Sequence, residues 1–250
     1  MSGPASPLVP SFVEIADRRV RVWAAGDGPP AVLLHGFSDA GSCWVGVTPL
    51  FTRLGYRVVA PDARAHGLTP LLPDDEFTAR ARVGDSRAVM QALDIEGALV
   101  VGHSMGAITA MQLAARHQSL VSAVILIDPP LTGDEADVER DRGFSFEAWV
   151  HEIAAMPPQA LADLCRRDNP GWMAEEIDAW VVSKLEMDRD LFRRPQSGHD
   201  GPWRAAMEAI LCPALVVAGE TELGSLVDGG AGCWLDDAPN VEFVRVEGAG

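Results

Sequence analysis

A five-residue motif near the middle of the chain constrains its fold more than any other feature. Residues 102–106 read Gly-His-Ser-Met-Gly, directly after the apolar run 98–101 and directly before a helix-like run at 107–117. This order predicts a strand, a sharp turn and a helix, with Ser104 at the apex of the turn. The two glycines remove side chains that would clash with the neighbouring strand and helix. The motif therefore predicts that Ser104 projects as a nucleophile into a cleft at the end of a sheet.

A second motif lies where a partner of this turn is expected. The apolar run 31–34 is followed by His35, Gly36 and Phe37. Together the two motifs resemble the α/β-hydrolase family, which has a His-Gly oxyanion loop at the end of its third strand. Two fixed backbone N–H groups that face a developing oxyanion stabilise the transition state by a few kcal/mol. The resemblance implies that the N–H groups of Phe37 and Met105 form this oxyanion hole.

Predicted strands and helices alternate along most of the chain, which is typical of an α/β fold with a mostly parallel, doubly wound sheet of about eight strands. The strands are predicted at 12–15, 20–23, 31–34, 57–60, 98–101, 123–127, 214–218 and 241–246, with helices at 43–54 and 78–93 among the connections. Helical spacing without a convincing strand replaces this alternation after residue 130. We therefore predict a core of residues 1–130 and 208–250 and a helical cap of residues 131–207, where the α/β-hydrolase family has its cap.

The predicted cap is rich in tryptophan and methionine, which at helical spacing usually pack the cap itself. One face must still cover Ser104, and that face would be apolar. We predict substrate contacts from Gly36, Phe37, His103, Trp149 and Trp180, although the His103 side chain is expected to point away from the attack direction of Ser104. An apolar roof favours a medium-sized, uncharged, partly hydrophobic ester or lactone. The charged turn at 62–67 resembles an architectural turn of the same family.

The acid that would orient a catalytic histidine stays ambiguous in the sequence. In the α/β-hydrolase family it usually follows the seventh strand, where this chain has Glu220 and Glu222 and no aspartate. Glu222 lies at the common Gly-x-x-acid spacing, and Glu220 is the near alternative. Asp128, at the end of the sixth strand, is the other position from which a carboxylate could reach the same histidine. The sequence does not decide among these three candidates, and it also allows that the chain has no triad acid.

The positions of the histidines differ from the family pattern, in which one histidine acts as the catalytic base. The histidine of the family follows the last core strand, and none of the six histidines here, at positions 35, 66, 103, 117, 151 and 199, occupies that place. Residues 241–250 fit the approach to such a histidine loop. We therefore expect a longer natural protein in which the catalytic histidine directly follows Gly250, with a closing helix of roughly 15 to 30 residues after it.

Composition narrows the possible partners. A formal net charge of −16 argues against nucleic-acid binding and disfavours strongly anionic substrates. The sequence shows neither a membrane-spanning run nor a signal-peptide layout, so we expect a cytoplasmic protein without membrane association. The scattered cysteines lack metal-ligand spacing, and no metal or cofactor is predicted. The oligomeric state is left open.

These observations favour a serine hydrolase that forms an acyl-enzyme on Ser104. A serine at this position argues against dehalogenase and epoxide hydrolase relatives, which use aspartate there. Carbon–carbon bond hydrolases, lyases and perhydrolases on the same scaffold would show nearly the same motifs. The alternative from another class is a protein that holds a small molecule under the cap without turning it over.

Overall fold

The computed structural model describes residues 7–132 and 145–249 and contains an eight-stranded sheet. Its strands are β1 (Val9–Ile15), β2 (Arg18–Ala25), β3 (Pro30–Leu34), β4 (Arg57–Pro61), β5 (Ala98–His103), β6 (Val121–Ile127), β7 (Ala214–Ala218) and β8 (Val241–Arg245). The strand order is β1-β2-β4-β3-β5-β6-β7-β8. Strand β2 is antiparallel to both of its neighbours, and all other pairings in this sheet are parallel. The predicted α/β fold with a mostly parallel sheet is confirmed.

Helices cover both faces of the sheet. They are α1 (Thr48–Arg53), α2 (Ala79–Ala92), α3 (Met105–Arg116), α4 (Phe146–Ala154), α5 (Pro158–Asp168), α6 (Ala174–Glu186), α7 (Trp203–Glu208) and α8 (Gly229–Asp236). Successive residues of β3 point to opposite faces of the sheet. Val32 belongs to the large apolar cluster with α2 and α3, and Leu33 belongs to the smaller cluster on the side of α1. The central strands β3, β4 and β5 are buried on both sides, which explains their continuous apolar runs.

Two local details differ from the sequence prediction. The helix expected at 43–54 is instead a 3₁₀ turn at Gly41–Val45 followed by α1. Pro49 lies in the first turn of α1, where its missing N–H is tolerated, whereas a helix running through it would lose a hydrogen bond. The predicted cap also contains a two-residue strand, Gln196–Ser197, which pairs in parallel with Phe77–Thr78 directly before α2. A pairing this short leaves no recognisable periodicity.

Helices α4 to α6 pack through a separate apolar cluster that includes Ile153, Leu161 and Ile177. Two ion pairs join α6 to the core: Lys184 Nζ lies 2.7 Å from Asp39 Oδ1, and Glu186 Oε2 lies 2.6 Å from an Arg21 guanidinium nitrogen.

Helix α7, which the sequence analysis placed in the cap, packs with the core. Trp203 and Met207 are buried in the large apolar cluster, and Trp203 Nε1 donates to Thr132 O at 3.0 Å. Among the described residues, no helix is both long and apolar enough to cross a membrane.

Candidate active site

The predicted sharp turn at Ser104 is present between β5 and α3. Ser104 has a φ of +49° and a ψ of −113°, a conformation that costs a non-glycine residue about 1–3 kcal/mol. Its N–H donates to Ile127 O at 2.9 Å, which holds the turn against strand β6. A Cβ on Gly102 would lie 2.2 Å from Gly106 O, and a Cβ on Gly106 would lie 2.0 Å from Leu34 O. Both glycines are therefore required by close backbone approach, as the sequence predicted.

Ser104 opens into a cavity of about 260 Å³, which we call the serine cavity. Phe37 and Met105, the two predicted oxyanion residues, both line it. Met105 is the first residue of α3, so its N–H has no acceptor within the helix. The remaining wall is largely apolar, with Phe77, Ile108, Pro130, Phe192 and Leu226 among its residues. The cavity therefore offers a nucleophile and an oxyanion-binding group beside an apolar wall.

Two buried histidines hold the oxyanion loop in place. His66 Nε2 accepts from Ser38 N at 3.2 Å, and His35 Nε2 accepts from Ala63 N at 2.9 Å. Burial, together with the nearby His35, lowers the pKa of His66 to about 3. Burial also lowers the pKa of His35. Both rings are thus neutral at physiological pH and act as hydrogen-bond acceptors that position the loop.

The turn at 62–67 proves to be architectural, as the resemblance suggested. The carboxylate of Asp62 is fully buried and lies 2.5 Å from Arg21 Nε. It also accepts from Gly41 N at 2.8 Å and from Leu68 N at 3.2 Å. With these oxygens occupied by structural donors, Asp62 joins strand β2 to the segments at Gly41 and Leu68, and it is not among the residues that line the serine cavity.

The predicted substrate contacts divide between two places. Phe37 lines the serine cavity, whereas Gly36, His103 and Trp180 line a second cavity of about 200 Å³. Trp149 packs against the apolar cluster of helices α4 to α6 and against a second cluster that includes Phe77 and Leu191.

His103 turns away from Ser104 toward Asp39, as expected, and its Nδ1 lies 4.0 Å from Asp39 Oδ2. Burial disfavours the charged form of Asp39, but Lys184 outweighs this penalty and holds the pKa of Asp39 below its ordinary value.

The three candidate acids lie in different surroundings. The Asp128 carboxylate accepts from Ser225 Oγ at 2.5 Å and from Leu226 N at 3.0 Å. Glu220 Oε1 accepts from Gly248 N at 3.3 Å. Glu222, which the motif spacing favoured, lies in an exposed 3₁₀ turn. Of the three, Asp128 has the most firmly oriented carboxylate, and Leu226, which donates to it, also lines the serine cavity.

The three remaining histidines lie in different places. His117 follows the end of α3, and His151 lies on the cap surface 4.0 Å from Glu147. His199 Nε2 is 3.2 Å from Pro130 O, and Pro130 lines the serine cavity.

Arg82 is a cavity residue that the sequence analysis did not single out. It is 4% exposed and lines the serine cavity from α2. A signal was present: Arg82 lies at helical spacing among Ala79, Ser86 and Val89, which are all buried residues of α2. A charged residue within such a stripe indicates a buried polar site.

Relatives of this chain cover several hydrolytic chemistries. A fluoroacetate dehalogenase from Burkholderia sp. is 26% identical over 95% of this chain and 86% of its own length. An sn-1-specific diacylglycerol lipase from Xenopus tropicalis is 31% identical over 73% of this chain, but over only 54% of its own length. Among solved structures, a thioesterase domain from the curacin biosynthetic pathway superposes with a TM-score of 0.76, covering 96% of this chain and 93% of its own at 20% identity.

The sequence also matches a family model directly. Residues 29–164 fit the model described as alpha/beta hydrolase fold, and this range contains the oxyanion loop, the serine turn and helix α4. The strand order, the strained serine turn and this match agree with one another. The chain therefore belongs to the α/β-hydrolase family.

Proposed function

We propose that this protein hydrolyses a carboxylic ester or lactone of a medium-sized, partly apolar small molecule through an acyl-enzyme on Ser104. The observation that supports this most strongly is the strained serine turn, which directs Ser104 into a cavity shared with Phe37 and Met105. The coarser conclusion, a hydrolase of the α/β family, agrees with the relatives described above.

The proposed reaction has two halves. Ser104 Oγ attacks the carbonyl carbon while a histidine takes its proton, and the carbonyl oxygen becomes an oxyanion held by the N–H groups of Phe37 and Met105. The C–O bond to the leaving group then breaks, and the histidine returns the proton to the departing oxygen. Water repeats the sequence on the acyl-enzyme, which releases the acid and restores Ser104.

We propose Asp128 as the acid, in place of Glu222, which the motif spacing favoured. A triad acid must hold one orientation in order to select a histidine tautomer. The Asp128 carboxylate is fixed by Ser225 and Leu226, and the preceding Ile127 holds the turn at Ser104. The exposed position of Glu222 offers no comparable orientation.

The base is the open part of this proposal. His35 and His66 are occupied in holding the oxyanion loop, and His103 is directed toward Asp39. The sequence-based expectation of a histidine directly after Gly250 stays a prediction, and His199 is the described alternative. Ester turnover by full-length protein, by residues 1–250 alone and by His199→Gln distinguishes the two. Loss of turnover in His199→Gln alone would assign the base to the cap.

The choice of nucleophile supports ester chemistry. The lipase relative is named for the hydrolysis of an ester. The dehalogenase relative is named for another reaction, and dehalogenases of this family use aspartate where this chain has Ser104. Ser104 matches acyl transfer, which needs a nucleophile that water can later replace at the acyl carbon.

A fluorophosphonate probe followed by an ester and lactone panel tests the proposal. We expect covalent labelling of Ser104, turnover of esters or lactones, and loss of both in Ser104→Ala. Absence of labelling in full-length protein would favour a ligand-binding role. Labelling without turnover of any ester or lactone would instead favour carbon–carbon bond hydrolysis, lyase or perhydrolase chemistry.

A further inference from the structure

The serine cavity contains a buried cation without a carboxylate partner among the described residues. The guanidinium of Arg82 hydrogen-bonds only neutral oxygens there: Thr109 Oγ1 at 3.5 Å, Phe77 O at 3.4 Å and Gly198 O at 3.2 Å. All three distances are long for hydrogen bonds from a charged donor, which usually lie near 2.7–2.9 Å. The neutral oxygens therefore satisfy Arg82 only weakly.

Three other buried arginines of this protein form ion pairs with carboxylates. Arg18 lies 2.7 Å from Asp75, Arg64 lies 2.7 Å from Asp85, and Arg21 lies 2.5 Å from Asp62. The fold thus pairs these guanidinium groups with carboxylates. Among the described residues Arg82 has no such carboxylate partner, and the Phe77 ring, whose centroid lies 5.0 Å from the guanidinium carbon, supplies no full negative charge in its place.

The charge of Arg82 persists at neutral pH. Burial, together with the neighbouring Arg64, lowers the pKa of Arg82 to about 10, so the side chain stays protonated during function. An unpaired buried charge is costly, and the cost falls when an anion enters the same cavity. A guanidinium also presents paired N–H groups that match the two oxygens of a carboxylate.

We propose that Arg82 binds a carboxylate on the acyl part of the substrate, so that the preferred substrates are half-esters of dicarboxylic acids, or lactones that carry a carboxylate. This inference rests on the proposed function of Ser104 and replaces the uncharged substrate expected from the sequence. The net charge of −16 does not prevent it, because repulsion from distant surface carboxylates is screened within about 8 Å at physiological ionic strength.

The positions of Arg82 and Ser104 limit the length of such a substrate. Arg82 Nε donates to Thr109 Oγ1, and Thr109 lies five residues after Ser104 along α3. At 1.5 Å per residue, Thr109, the contact of Arg82, lies about 7.5 Å from Ser104 along the helix axis. A spacer of about four methylenes covers this distance, and Phe37, Phe77 and Ile108 provide an apolar wall for it.

Arg82 also has a structural role that the experiment must separate from binding. Its bonds to Phe77 O and Gly198 O flank the two-residue strand pair between core and cap. A purely structural role predicts that Arg82→Gln slows all substrates equally. A binding role predicts a selective loss for substrates that carry a carboxylate.

The experiment compares 4-nitrophenyl hydrogen adipate with its neutral methyl ester in full-length protein. We expect the wild type to hydrolyse the acid with a kcat/KM at least tenfold higher, mainly through KM, and Arg82→Gln to lose this preference. Arg82→Lys should keep part of it, because the charge remains without the paired geometry. Arg80→Gln, a charge loss on the exposed side of the same helix, is the matched control and should keep the full preference.

A binding measurement separates failure of this inference from failure of the proposed function. Calorimetry with adipate should show binding to wild type and to Ser104→Ala, weakened on the order of 10-fold or more in Arg82→Gln. Binding with this dependence but no ester turnover would overturn the proposed hydrolysis and leave the carboxylate site standing. Equal kcat/KM for the two esters, an equal loss on both in Arg82→Gln, or adipate binding unaffected by that change would overturn the carboxylate site.

Discussion

The nucleophile side and the acid side of this site are built in contrasting ways. On the nucleophile side, the turn at Ser104 is enclosed by backbone contacts through Gly102 and Gly106, and buried His35 and His66 hold the oxyanion loop. On the acid side, Asp128 is held by Ser225 and Leu226 of the loop after β7, and that loop is exposed around Glu222. Backbone geometry determines the first region, whereas the second depends on the length and direction of side chains.

The largest effect is expected at the nucleophile itself. Ser104→Ala removes the group that forms the acyl-enzyme, and because members of a triad act as a unit, kcat should fall by several orders of magnitude with folding intact. Ester hydrolysis and circular dichroism of the purified variant test this. Unchanged turnover would end the serine-hydrolase proposal.

The acid comes next and tests the contrast between the two regions directly. Asp128→Asn should lower kcat by about 10³- to 10⁴-fold, as loss of the orienting carboxylate does in serine proteases. Glu222→Gln and Glu220→Gln are matched controls with the same charge change and should stay within a few-fold of the wild type. A dead Glu222→Gln beside an active Asp128→Asn would return the acid to the seventh strand.

The unequal success of sequence reasoning follows from the same contrast. The turn at Ser104 was predictable because only glycine fits at positions 102 and 106. The backbone geometry of the turn therefore determines which residue type occupies these positions, and the sequence shows it directly. The acid was not predictable, because a carboxylate at any of three positions could orient a catalytic histidine. Which carboxylate is itself held in one orientation depends on hydrogen-bond partners such as Ser225. Arg82 was missed because the buried stripe of α2 is defined by packing against α3 and the sheet rather than by charge.

The rigidity of the nucleophile side can be tested by adding one methyl group. Gly106→Ala forces its Cβ against the Leu34 carbonyl, and we expect a loss of about 3 kcal/mol in the free energy of unfolding. Gly84→Ala is the matched control, because nothing lies within 4 Å of that added Cβ in the interior of α2. Urea denaturation should show a gain there of about 0.5–1 kcal/mol. Equal effects of the two substitutions would contradict the close approach at the turn.

The smallest expected effect concerns pH and the two buried histidines. The folded-state pKa of His66 lies near 3, below its ordinary value of 6.5, so the unfolded chain binds this proton first as the pH falls. The stabilisation is therefore fully present above about pH 7 and is lost as the pH falls toward 3. Between pH 7.5 and pH 5 the loss from His66 amounts to roughly 2 kcal/mol.

His66→Gln should reduce the pH dependence of the urea unfolding free energy by about this amount. Because protonation of His66 also removes the acceptor for Ser38 N, protection of the oxyanion loop from amide exchange, measured relative to the intrinsic exchange rate at each pH, should fall as the pH approaches 3, before protection of the loop after β7 changes. An unaltered pH dependence in His66→Gln would show that this ring does not bind its proton on unfolding. The tight construction of the nucleophile side would then rest on its glycines alone.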